Sequence, residues 1–286
     1  MPLDSWRDTK ETLHRFCQVV GRSAWPQASG ATIGGTCHST SPAAVLPPDP
    51  WDRPTATRSS PSTSTSSTTS CASTPWPAKR SRSRCKASRW PRSTTTSWRR
   101  WTGSGSKRPS AIPRPFDLPD ADRRFADDTE HAGYDPAWAS RYWQVLSHVD
   151  LLLEEFAVRF SGKVSPVHHF WHTFDIAHTR FADRHVDQPS TADSVTREAY
   201  SREVISFGFW VGDDRIGEPA FYAYTAPEPD GLASEPLQPG IAWWDPRDGS
   251  HLAVLRYDDA RASDDPRATV LDFYESAYQA GARLGY

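Results

Sequence analysis

Apolar residues recur at helical spacing in three stretches of the chain. In the clearest, Asp135 can cap a helix and Pro136 suits its first turn. The apolar stripe of this stretch consists of Trp138, Tyr142, Val145, Leu146, Val149, Leu152, Leu153 and Phe156. The pattern predicts a helix here, a shorter one over residues 5–21 that ends at Gly21, and a last one that begins at Pro266.

Short runs rich in aromatic and β-branched residues lie between the last two helices, and turn sequences such as PEPDG and PRDGS separate them. Short strands joined by tight turns favour antiparallel pairing. The predicted fold class is therefore α+β, with a mainly antiparallel sheet and packed helices. The predicted strands cover residues 170–176, 204–211, 220–224, 241–244 and 252–257.

The apolar pattern disappears between the first two helices. No Leu, Val, Ile, Met, Phe or Tyr occurs from Pro47 to Ala111, and no Asp or Glu occurs from Arg53 to Phe116, where 14 Lys and Arg residues lie. Such a composition cannot bury a core, so residues 23–113 are predicted to be disordered. The expected organisation is an N-terminal helix over residues 1–22, this segment, and an α+β domain over residues 114–286.

Three interpretations of the segment are open. It can be a flexible linker rich in Ser, Thr and Pro. It can be a basic tail that binds nucleic acid, since AKRSRSRCKASRWPRS interleaves basic residues with Ser and Trp. It can also be a translation out of frame. If the true frame begins one base earlier, Ser codons become apolar codons and Thr codons become polar ones, so an amphipathic strand is misread as alternating Ser and Thr.

One constant offset of a single base makes the third interpretation concrete. With suitable codons, STSTSSTTSC at residues 62–71 becomes VDFDFVDHVL, an amphipathic strand. TIGGTCHST at residues 32–40 becomes NHWWHVPLY, and RWPRSTTTSWRRWTGSGS at residues 89–106 becomes SVATFYDDLMAALDRLGI, an amphipathic helix. We favour this interpretation, and we expect only weak, unspecific binding of nucleic acid.

The corrected segment also indicates an internal duplication. NHWWHVPLY is similar to HHFWHTFDI at residues 168–176, and FYDDLMAALDRLGI matches FYESAYQAGARLGY at residues 273–286 in six positions. The ancestral protein is therefore predicted to have two similar lobes, of which the N-terminal lobe is disrupted in this chain. For this reason we expect the chain to have little or no activity.

The formal charge of −2 conceals two oppositely charged parts. Without the 14 basic residues of the segment, 19 basic residues remain against 35 acidic ones. Of the four cysteines, only Cys17 lies in ordinary sequence, so neither a disulfide framework nor a zinc spacing is indicated. No apolar run is long enough for a membrane helix, and the charged N-terminus is unlike a signal peptide. We therefore expect a cytoplasmic protein that does not bind membranes.

Several long motifs resemble one bacterial family. WRDTKETLHRF near the start, GKVSPVHHFWHTFDIAHTRF at residues 162–181, REAYSREVISFGFW at residues 197–210 and EPAFYAYTAPEP at residues 218–229 are similar to motifs of the family known as domain of unknown function 5996. The recovered NHWWHVPLY resembles the N-terminal motif of that family. The resemblance covers roughly residues 5–21 and 113–286, and it implies no known activity.

Four histidines lie within eleven residues, beside Asp175 and Arg180. On a strand, His168, His172 and His178 would share one face, and three imidazoles with a carboxylate could bind a divalent metal such as zinc or iron. Two alternatives are a polar pocket without metal, and structural histidines that bond the backbone or an acid. The metal site is therefore one of three predictions for this cluster.

Other candidates lie on the predicted strands. Glu203 alternates with apolar residues, where a buried acid needs a partner such as His172 or Arg180. Gly208 indicates a bulge or a close backbone approach, and alternation places Tyr222 and Tyr224 on one side of their strand. The predicted function is small-molecule binding or catalysis, and the alternative is a structural or interaction protein whose aromatic residues form core and interface. The pocket candidates are His168, Trp171, His172, Asp175, Arg180, Glu203, Tyr222 and Tyr224.

Overall fold

The computed structural model describes residues 1–24, 114–116, 118–192 and 194–285. Residues 25–113, most of the segment predicted to be disordered, lie outside this description. No helix in the described parts has both the length and the apolar character needed to cross a membrane. The helices are α1 (Arg7–Ala24), α2 (Pro136–Ala157), α3 (Ser194–Ala199), α4 (Tyr257–Ala262) and α5 (Pro266–Arg283). The strands are β1 (His168–Phe170), β2 (Asp175–His185), β3 (Arg202–Trp210), β4 (Ala220–Ala226), β5 (Trp243–Arg247) and β6 (Ser250–Arg256).

The six strands form one sheet in the order β1-β2-β3-β4-β6-β5, and every neighbouring pair is antiparallel. The predicted α+β class is confirmed. Helices α2 and α5 pack on one side of the sheet, here called the helix face. Strand alternation places Ile176, Phe207 and Phe221 on that side, where they form the main core with Phe156 and Tyr274 of the helices. The opposite side, here called the second face, carries Ala177, Thr179, Ser206, Gly208, Tyr222 and Tyr224.

The two long helices begin where the sequence predicted. Asp135 accepts a hydrogen bond from the backbone N–H of Ala137 at 2.8 Å, with Pro136 as the first helical residue. Asp265 caps α5 in the same way, by accepting from the N–H of Ala268 at 2.9 Å. These caps satisfy N–H groups that have no partner within the helix, so they fix where each helix starts.

Helix α1 buries polar side chains, although the apolar residues Trp6, Leu13, Phe16, Cys17 and Val20 recur near one face of it in the sequence. Trp6 is buried, but Val20 remains 49% exposed. Arg15 is buried because it pairs with Asp120, at 2.7 Å. Gln18 is buried because its side-chain amide accepts from the N–H of Phe116 at 2.7 Å and donates to the Phe116 carbonyl at 2.9 Å. Distant partners therefore allow this polar side to lie inside the protein.

Gly21 does not end α1, contrary to the prediction. The helix continues to Ala24, and Gly21 lies against the indole of Trp171. A β-carbon at Gly21 would lie 2.5 Å from the Trp171 ring. The glycine thus admits a bulky side chain to the helix surface.

The predicted strand over residues 170–176 is wrong, because β1 ends at Phe170 and β2 begins at Asp175. Between them Phe174 has φ +62°, a left-handed conformation that is uncommon for a residue with a β-carbon. The aromatic run is therefore a hairpin turn. The length of β2 was missed because two of its residues on the helix face, His178 and Arg180, are polar and yet buried.

Candidate functional site

A carboxyl group on the second face is held by two hydroxyls. Asp175 accepts hydrogen bonds from Tyr222 on β4 and from Thr173 in the preceding turn. Tyr222 reaches Asp175 across β3, where its neighbour is Gly208. A β-carbon at Gly208 would lie 2.5 Å from the Tyr222 hydroxyl and 2.5 Å from the carbonyl oxygen of Ile176. The close approach predicted at Gly208 is confirmed.

Strained backbone directly precedes this carboxyl. The left-handed residue Phe174 stacks its ring on His14 at 4.9 Å and on Tyr142 at 5.1 Å between centroids, and it meets His169 edge to face at 5.2 Å. Packing from α1, α2 and β1 thus holds a backbone conformation that costs free energy. Such conformations occur preferentially at functional sites.

More hydroxyls continue along the second face. The hydroxyl oxygens of Thr179 on β2 and Ser206 on β3 lie 2.8 Å apart, and Ser206 also forms a hydrogen bond with Tyr224. The Tyr224 hydroxyl lies 3.0 Å from that of Tyr200, which follows α3. The rings of Tyr222 and Tyr224 stack with centroids 6.2 Å apart, which confirms that both tyrosines lie on one side of β4. Three strands therefore contribute to one hydroxyl-lined surface.

Burial sets the protonation of this surface. It raises the pKa of Asp175, and this effect exceeds the lowering by the hydrogen bonds from Thr173 and Tyr222. Burial, followed by the nearby Asp175, raises the pKa of Tyr222 well above its ordinary value, and burial followed by Tyr200 does the same for Tyr224. Both phenols therefore remain protonated at neutral pH, whereas Asp175 titrates closer to neutrality than an ordinary carboxyl group.

Three predicted site residues lie beside Asp175 in the β1–β2 hairpin. His168 is opposite Ala177 in the register, so it points to the second face and is buried there. Trp171 is buried against α1. His172 is half-buried, and its backbone carbonyl accepts a hydrogen bond from His14 Nε2 at 2.9 Å. Of these three, His168 has its side chain on the face of the sheet that carries Asp175, and the charge of a protonated His172 lowers the pKa of Asp175.

Arg180 and Glu203 point to the helix face instead. The guanidinium of Arg180 lies over the rings of Phe156 and Tyr278, 4.0 and 4.4 Å from their centroids, and donates to the Phe156 carbonyl at 3.2 Å. Glu203 is paired with Arg184, so the predicted pairing of Glu203 with His172 or Arg180 is wrong. Alternation along β2 and β3 separates both groups from Asp175 and Tyr222 by the thickness of the sheet.

The three histidines predicted to bind metal do not share a face. Because His168 is opposite Ala177, its side chain is on the second face, whereas His178 points to the helix face and its Nδ1–H donates to the Ser165 carbonyl at 3.0 Å. His172 lies in the turn. The hairpin thus removes the geometry on which the metal prediction rested.

Among the residues that the structure describes, the groups that could share a metal ion are Asp120, Asp128 and His131, whose ligand atoms lie within 4.8 Å of one another. Arg15 of α1 occupies this cluster, 2.7 Å from Asp120 and 3.6 Å from Asp128. His131 Nδ1 is 2.9 Å from Asp128. The guanidinium already supplies positive charge to both carboxylates, so the cluster acts as an ionic contact that holds α1.

Four residues of the hydroxyl-lined surface were not predicted from the sequence: Thr173, Thr179, Tyr200 and Ser206. Alternation within REVISFGFW already separates Ser206 from the apolar residues on either side of it. Its pairing with Thr179 depends on the register of β2, which the periodicity did not show. Tyr200 lies outside every strand and reaches the surface from the end of α3.

The family model described as "Family of unknown function (DUF5996)" matches residues 103–286. The chain belongs to this family. The match contains β1 to β6 and every residue of the hydroxyl-lined surface, while α1 lies outside the matched range. No curated protein and no solved structure matches the chain. Membership of the DUF5996 family therefore supports the fold of this region without assigning it an activity.

Proposed function

We propose that the chain binds a small molecule on the second face of the sheet, at Asp175, Tyr222 and the neighbouring hydroxyls. The observation that carries this proposal is a half-buried carboxyl group whose side-chain hydrogen-bond donors are two neutral hydroxyls. Such a group costs folding free energy. A glycine that admits Tyr222 and a strained turn at Phe174 maintain the arrangement, which favours a functional use.

In a catalytic version of the proposal, Asp175 exchanges a proton with the bound molecule. Burial raises the pKa of Asp175, which brings a carboxyl group closer to the range where general acid–base catalysis is efficient at neutral pH. Tyr222 would hold the carboxyl in one orientation by donating to it. This role requires only groups that lie on the second face.

The alternative function is a structural or interaction protein. It is favoured by the contacts of Trp171, Arg180 and Glu203, which pack against Gly21, fill an aromatic cage and pair with Arg184, respectively. These three predicted pocket residues thus have structural roles. The two functions differ in whether Asp175 has a ligand.

A ligand screen on the full chain separates them. Thermal shift is measured against a panel of amines, carboxylates, sugars and nucleosides for the natural chain, Asp175→Asn, and the matched control Asp183→Asn, which changes an exposed carboxylate on the same strand. We expect at least one compound to raise Tm in the natural chain and the control but not in Asp175→Asn. If no compound does so, the binding proposal is wrong and the structural alternative is favoured.

The members of the site that the structure describes lie within residues 173–224. We therefore propose that this chain retains ligand binding, even though loss of the predicted N-terminal lobe would remove any catalytic contribution from it.

A further inference from the structure

The half-buried Asp175 differs from the buried carboxylates in its partners. Each of those carboxylates has a basic partner. Glu203 pairs with Arg184. A carboxylate oxygen of Asp128 lies 2.9 Å from Nδ1 of His131, and one of Asp245 lies 3.2 Å from the guanidinium of Arg215. Within the described ranges, Asp175 has no Lys, Arg or His nitrogen within ion-pair distance. Its donors, the hydroxyls of Thr173 and Tyr222, satisfy hydrogen bonds but supply no positive charge.

Cationic side chains near the second face are engaged elsewhere. Arg256 pairs with Glu218 at 2.9 Å and lies over the Trp243 ring at 5.1 Å. Arg202 donates to the backbone carbonyl of Asp183 at 2.7 Å. The ring of His172 can become positive, and its charged form favours the ionised form of Asp175. The described residues therefore supply little countercharge to this carboxylate, which leaves a place for a cation from another molecule.

Aromatic rings pack against Tyr222, whose hydroxyl donates to Asp175. Tyr222 stacks on Tyr224, and Trp210 meets Tyr222 edge to face with centroids 5.6 Å apart. The faces of such rings attract cations, especially where water is partly removed. Trp210, Tyr224 and Asp175 each remain partly exposed, so this surface is open to a ligand.

We propose that the ligand is an organic cation, a protonated primary or secondary amine, whose ammonium group binds the Asp175 carboxylate while its carbon skeleton lies on the tyrosine rings. This inference rests on the proposed function and specifies its ligand class. A charge-assisted hydrogen bond to Asp175 would supply the missing countercharge. Protonation of Asp175 would remove the attraction.

The test compares three probes of one shape on the full chain at pH 7: benzylamine, which is cationic, benzyl alcohol, which is neutral, and benzoate, which is anionic. Isothermal titration calorimetry should show the highest affinity for benzylamine. In Asp175→Asn this affinity should fall at least about tenfold, a loss that corresponds to about 1.4 kcal/mol. Asp183→Asn should bind benzylamine like the natural chain.

A pH series keeps the test valid if Asp175→Asn does not fold. In the natural chain, affinity for benzylamine should decline as the pH is lowered and Asp175 becomes protonated, whereas any affinity for benzyl alcohol should stay constant. Equal binding of the three probes, or an affinity for benzylamine that does not change with pH, would overturn the amine assignment.

The result also distinguishes the two proposals. If a neutral or anionic compound from the wider panel binds and loses affinity in Asp175→Asn, the second face is a binding site and the ligand class proposed here is wrong. If no compound from any class binds, both proposals are wrong.

Discussion

At Gly208, one absent β-carbon decides whether Tyr222 can reach Asp175. We expect Gly208→Ala to lower the free energy of unfolding by about 2 kcal/mol, because one of the three atoms in the way is the backbone oxygen of Ile176, which cannot move aside freely. Urea unfolding measures the change. Gly240→Ala is the matched control, since no atom lies within 4 Å of its β-carbon, and its effect should stay within about 0.5 kcal/mol. Similar losses in both variants would contradict this account.

At the scale of single residues, the sequence predicted roles that depend on local geometry. Gly208 and the common side of Tyr222 and Tyr224 follow from strand alternation, and they are confirmed. The partner of Glu203 was wrong because Arg184 approaches from the next strand, and pairing between strands depends on a register that one sequence does not display.

At the scale of elements, neutral histidines that are buried (His14, His178) or half-buried (His169) join α1, the β1–β2 hairpin and β2 to the core. Burial is the largest cause that lowers the pKa of His14, His169 and His178, each to about 4. In the unfolded chain these groups take up protons below about pH 6.5. The unfolded state therefore binds more protons between pH 6.5 and 4, and stability should fall as the pH drops through this window.

Each such histidine should contribute a slope of about 1.4 kcal/mol per pH unit within that window. Burial raises the pKa of Glu11, but Lys10 and Arg15 lower it by more, to about 2. The contribution of Glu11 to stability is therefore lost at lower pH than that of the histidines. Urea unfolding from pH 7 to 4 measures the slope. His178→Phe should reduce the slope by about 1.4 kcal/mol per pH unit, the contribution of one histidine. The control His185→Gln, which changes an exposed histidine, should leave the slope unchanged. An unaltered slope in His178→Phe would refute the assignment.

The same elements show where periodicity is informative. Helix α2 follows an apolar stripe and a cap, both of which are local features, so its start was predicted correctly. The buried polar side of α1 and the polar residues of β2 depend on partners such as Asp120 and Phe156, which the spacing of apolar residues does not encode. Hydrophobic patterns identify elements that dock by apolar contact and miss those that dock by paired polar groups.

At the scale of the whole molecule, α1 is part of the same fold as residues 114–285. Arg15 contacts Asp120, Gln18 holds Phe116, and Gly21 lies on Trp171. Two sequences that flank the unusual segment are therefore joined in three dimensions. Its out-of-frame origin and the two-lobed ancestor remain predictions, and sequencing the gene across codons 20 to 115 in independent isolates tests both.

The two hydrogen bonds between Gln18 and Phe116 hold together the parts of the chain that lie just before and just after the unusual segment. Ala24 lies six helical residues, about 9 Å, beyond Gln18. Arg114 lies two residues, about 7 Å, before Phe116. A Gly/Ser linker of about eight residues can reach about 26 Å, so it can bridge the gap in place of residues 25–113.

We expect that excised chain to fold cooperatively and to be more stable by about 2 kcal/mol, on the prediction that the removed residues are disordered, because a shorter connection costs less entropy to close. Differential scanning calorimetry compares it with the full chain. As a control, a chain that starts at Arg114 lacks α1 and should melt at a lower temperature. A loss of cooperative melting in the excised chain would show that residues 25–113 are needed for folding. If the excised chain folds, a foreign domain could be inserted between Ala24 and Arg114 without disturbing the sheet.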